Sequence, residues 1–72
     1  MNTNTIKSAD PIAHAQNVHR MLQEVITHLR ADQDQVEEAR YQALLETAAE
    51  VLGGLQVAFT DYCKGAEKAW KR

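Results

Sequence analysis

From Tyr41 to Tyr62 the chain reads YQALLETAAEVLGGLQVAFTDY, and its apolar residues return in steps of three and four. Tyr41, Leu44, Ala48, Val51, Leu55, Ala58 and Tyr62 form one line, and Leu45, Leu52 and Phe59 run beside it at intervals of seven. That spacing predicts the core-facing stripe of an amphipathic helix. A second pattern precedes it. Ala15, Val18, Leu22, Val25 and Leu29 lie on a central line, flanked by Ile12, His19 and Ile26 on one side and by His14, Met21 and His28 on the other. No strand-like alternation occurs.

Local signals bound these two helices. Residues 1–9 are polar and rich in Asn and Thr, which reads as a flexible tail ahead of a single helical domain at 10–72. Asp10-Pro11 predicts the start of helix 1, because an Asp side chain accepts from the free amides of a first turn and Pro suits the first helical position. Helix 1 is expected over about 11–31. Ala31-Asp32-Gln33-Asp34 then breaks the pattern, since short acidic side chains compete with helix through local hydrogen bonds. Asp34 and Glu37 have the spacing of a capping box, so helix 2 is expected from about 34 to 70, antiparallel to helix 1.

Gly53-Gly54 interrupts helix 2, and two readings follow. The apolar lines keep one phase across the glycines, which favours a continuous or kinked helix. A turn between 31 and 34 would set Pro11 opposite Gly54, which suits a reversal there into a monomeric three-helix bundle. In the continuous reading helix 2 overhangs helix 1 by about four turns. The overhang would expose Leu55, Ala58, Phe59, Tyr62, Ala66 and Trp70, and a contiguous apolar patch of that kind marks a partner surface.

Composition sets the frame. Seventy-two residues with 44% apolar content, three glycines and one proline describe one small all-α domain. A chain this short has a marginal core and depends on close helix packing or on oligomerising. Cys63 is the lone cysteine, so no intrachain disulfide supplements that core, and a cytoplasmic setting is expected. No apolar run approaches a membrane span, and the opening residues lack the apolar segment of a signal peptide.

The net charge of −2 argues against a general nucleic-acid binder, but the charges are divided. Asp34, Glu37, Glu38, Glu46 and Glu50 stand against Arg40, whereas Lys64, Lys68, Lys71 and Arg72 stand against Asp61 and Glu67. Two copies of helix 2 laid antiparallel would set acidic segment against basic segment. The same division also complements the helix dipole.

Candidate chemistry is sparse. His14, His19 and His28 are separated by five and nine, whereas helical metal-ligand pairs need three or four, and Glu24 with His28 lacks the Glu-x-x-His spacing of di-iron bundles. The three histidines remain candidates for a pH response. Cys63 would need a histidine from another subunit to act as a nucleophile, because the overhang carries it past helix 1. Ser8 lies in the tail, and the carboxylates occupy polar faces with no reason to converge. Asp32-Gln33-Asp34 lacks the glycine and closing glutamate of a calcium loop. The expectation is a protein that is not an enzyme and has no cofactor or metal.

In layout this resembles the hairpins that pair into Rop-type four-helix bundles, with unequal helices; shared layout transfers no function. The expected assembly is a homodimer, with Tyr41, Leu44, Leu45, Ala48, Val51, Leu52, Leu55, Ala58, Phe59, Tyr62 and Trp70 in its interface. The expected function is a non-catalytic interaction or assembly module that binds itself and a further protein partner. The alternative is a small nucleic-acid-binding regulator using Lys64, Lys68, Lys71 and Arg72 to hold anions.

Overall fold

A computed structural model describes residues 9–70, and the side chains of residues 9–65. Two helices account for nearly all of it: α1 over Pro11–Gln35 and α2 over Ala39–Trp70, packed antiparallel as a hairpin. The fold is all-α.

The start of α1 follows from local chemistry. Asp10 adopts an extended backbone, its side chain accepts from the Ile12 amide at 3.0 Å, and Pro11 occupies the first helical position. The end of α1 does not. The helix runs through the predicted break and stops at Gln35, so Asp34 belongs to the last turn of α1 and starts nothing.

Tertiary hydrogen bonds explain the extension. The Tyr41 hydroxyl donates to the Asp32 carboxylate at 2.9 Å, and the Gln33 side chain donates to Glu46 at 3.0 Å. The Gln42 amide donates to the carbonyls of Gln33 and Val36 at 3.0 and 2.9 Å. These partners outweigh the weak intrinsic preference of Asp against helix, which is under about 1 kcal/mol per residue. The turn is residues 36–38. Glu38 then caps α2 by accepting from the amides of Tyr41 at 2.8 Å and Arg40 at 3.3 Å.

Moving the turn shifts the level of the two helices. Gln56 bonds the His19 carbonyl and Cys63 approaches the Ile12 carbonyl, so Pro11 stands near the level of Cys63 and Lys64 rather than Gly54. The four-turn overhang is therefore absent. Leu55, Ala58, Phe59 and Tyr62 all have α1 alongside them.

α2 continues through Gly53-Gly54 without a positive φ, so the three-helix reading does not hold. Phase decides this over propensity: an unbroken register on both sides of the glycines packs along one helix. Neither glycine makes a close approach, since a Cβ added at either would meet nothing within 4 Å.

The seam between the helices has a regular 3-4 spacing. On α1 the seam runs through Ile12, Ala15, His19, Leu22, Ile26, Leu29 and Gln33, all half-buried or buried; on α2 it runs through Gln42, Leu45, Ala49, Leu52, Gln56, Phe59 and Cys63. This is the a/d pattern of an antiparallel coiled coil. The line through Tyr41, Leu44 and Val51, expected to face the core, runs one residue ahead of that seam. Gln42 and Gln56 sit within the seam because their amides find partners there, Gln56 bonding the His19 carbonyl at 3.3 Å and Gln23 at 3.1 Å.

A single hairpin is one layer thick. The molecule measures 51 × 27 × 13 Å with a radius of gyration of 15.4 Å, against roughly 11 Å for a compact domain of this length. Among the described residues only Ala15, Leu45 and Ala49 are buried. A 44% apolar chain thus closes almost no core by itself.

Candidate oligomer interface

The two sides of the slab differ in chemistry. On one side Pro11, His14, Ala15 and Val18 of α1 meet Ala58, Phe59 and Tyr62 of α2 around an open apolar groove of about 480 Å³. At the other end of the same side, Tyr41 bonds Asp32. Between those ends, α1 carries Met21, Val25 and His28 at three- and four-residue steps from Val18. Likewise, α2 carries Leu44, Ala48, Val51 and Leu55.

The opposite side is more polar, with Val57 exposed on the line of Thr60 and Lys64. Gln16, His19, Thr60, Cys63 and Lys64 surround a smaller groove with Phe59 at its base. Further along, Arg30 pairs with Glu46 at 3.1 Å, with Gln33 bonded to both, and Gln23 bonds Gln56. Glu46 sits below the ordinary carboxylate range because Gln33 and then Arg30 donate to it. Glu38 does likewise because the Tyr41 and Arg40 amides donate to it.

The expected interface residues divide between the two environments. Leu45 is 2% exposed and lies in the seam with Leu52 and Phe59, which are half-buried against α1. Leu44 is 60% exposed, Val51 58% and Tyr62 49%, and Leu55 and Ala58 are exposed beside them. Tyr41 and Ala48 are half-buried at the edge of this face. The Trp70 side chain lies outside the described residues.

Sequence reasoning left Val18, Met21 and Val25 out of this face, having placed them in or beside the core line of helix 1. Met21 and Val25 are exposed and share the apolar side with α2. Their signal was present: His14, Val18, Met21, Val25, His28 and Asp32 keep the 3-4 spacing one residue ahead of the α1 seam.

Of the candidate anion-binding residues, Lys64 is exposed on the polar side, whereas Lys71, Arg72 and the side chain of Lys68 lie outside the described residues. Cys63 does not project past α1. Its sulfur lies 4.0 Å from the Ile12 carbonyl and shares the polar groove with His19 of the same chain. His28 approaches Asp32 at 3.5 Å, four residues on along α1. Among the described residues no three His, Cys, Asp or Glu side chains come together in a metal-holding group, and no helix is long and apolar enough to cross a membrane.

No family model, curated protein or solved structure matches the chain. The reading of its function rests on the geometry above.

Proposed function

We propose that the chain is a non-catalytic assembly module that works as a homo-oligomer, two hairpins stacking their apolar faces into a four-helix bundle. One observation carries the reading: α2 has two adjacent apolar lines at coiled-coil spacing, and α1 covers only one. Leu44, Val51, Leu55 and Tyr62 remain exposed together with Met21 and Val25. Domains gain stability from at least two layers around a shared core, and a lone hairpin has one. A second layer on this face would bury both uncovered lines and leave the polar grooves outside, where a further partner would dock.

An assembled fold unfolds at a temperature that rises with chain concentration, because dissociation accompanies unfolding. The expected result is a midpoint that climbs across micromolar to millimolar chain, and a Val51→Glu variant in which that dependence disappears. A wild-type midpoint independent of concentration overturns the reading.

A further inference from the structure

We propose that the second copy docks with its turn at the opposite end of the bundle, so that α2 lies antiparallel on the partner's α2 about a two-fold axis near Val51. This rests on the homo-oligomer reading above and specifies its geometry. The competing arrangement has both turns at one end, which lays α2 over the partner's α1.

Charge distinguishes the two. The turn end of the hairpin, residues 30–50, carries six acidic residues against Arg30 and Arg40. Both arginines already face acids of their own chain, Arg30 pairing with Glu46 and Arg40 with Glu38. The open end is close to balance, with Lys64 and Lys68 on the last turns of α2 against Asp10, Asp61 and Glu67. Turns at one end gather both acidic ends together, whereas turns at opposite ends set each acidic end against one close to charge balance. Like-charge juxtaposition is the element that rejects a wrong partner geometry.

Side-chain size points the same way. Pivoting α2 about Val51 brings Ala48 level with the partner's Leu55 and Leu44 level with the partner's Ala58. At these two levels a large side chain meets a small one, as interdigitated helix faces require, while Val51 meets its own copy and Tyr41 comes level with the partner's Tyr62. Laying α2 over the partner's α1 instead brings Leu44 level with His28 and Asp32, apolar against polar at the turn end, while Val51 and Leu55 come level with Val25 and Met21.

Spin-label distances test the geometry. One label goes on native Cys63, twelve residues from Val51 and on the polar side of the seam; another goes on Glu50→Cys in a Cys63→Ser background. At about 1.5 Å per residue, the antiparallel pairing separates the two Cys63 labels by roughly 35 Å along the bundle. The labels at position 50 stay within about 20 Å. Two equal short distances would mean turns at one end, overturning this arrangement while leaving the homo-oligomer reading in place. No intermolecular distance, with a monomeric mass, overturns both.

Discussion

Gln56 reaches across the seam to His19, its amide donating to the His19 carbonyl at 3.3 Å and to the Gln23 side chain at 3.1 Å. Thirty-seven residues separate Gln56 from His19 in sequence, so this contact sets the level at which α1 and α2 pack. It also places a polar residue inside a line that would otherwise be apolar. Such residues fix register more than they add stability.

Gln56→Ala removes those bonds and leaves the His19 carbonyl without that donor. The expected loss is about 1 kcal/mol, the net worth of a partly buried neutral hydrogen bond. Urea unfolding reads it as a lower midpoint with unchanged slope; an unchanged midpoint would show that the contact adds nothing to stability.

Leu44 and Leu45 are neighbours with opposite exposure. Leu45→Ala empties a seam position that is 2% exposed and costs roughly 2–5 kcal/mol, enough to unfold much of so small a protein. Leu44→Ala leaves the hairpin's own packing intact, but lowers the chain-concentration dependence of unfolding. Circular dichroism melts on both variants check the contrast, and equal effects at the two positions would contradict the assignment of faces.

Gly53→Ala raises stability by about 1 kcal/mol, because the helix gains propensity and the new Cβ meets nothing within 4 Å. Thermal midpoints should rise by roughly 4–8 °C. A fall would mean that the backbone at Gly53 is not helical or is approached by something outside the chain.

Stability falls in acid for a stated reason. The folded carboxyls of Glu46 and Glu38 lie below their ordinary value of 4.5, held there by donors from Gln33 and Arg30 and from the Tyr41 and Arg40 amides. Lowered folded values mean the contribution is complete above pH 4.5 and is lost as pH falls through the depressed values. Melts from pH 6 to 3 should show the loss, and Glu46→Gln should flatten that part of the profile. An equal slope in the variant would remove Glu46 from the account.

What the sequence made legible follows from how local each signal is. The start of α1 was readable because Asp10 and Pro11 act on amides two residues away. The turn was not. Asp32 and Asp34 read as helix breakers, but Asp32 finds Tyr41 nine positions on and Gln33 finds Glu46 thirteen positions on. The spacing showed two neighbouring lines on α2 but not which one meets α1. The seam line contains Gln42, Gln56 and Cys63, so the more apolar line through Leu44 and Val51 read as the core. Continuity through Gly53-Gly54 was legible from phase, whereas the overhang was not, since its length inherited the misplaced turn.

The most direct measurement is the solution mass of the wild-type chain, by light scattering after size exclusion, across a range of chain and salt concentrations. Burial of the face bearing Leu44, Val51, Leu55 and Tyr62 by a second copy predicts twice the chain's 8.1 kDa. A species of 8.1 kDa at every concentration would contradict it and leave that apolar face bare in solution.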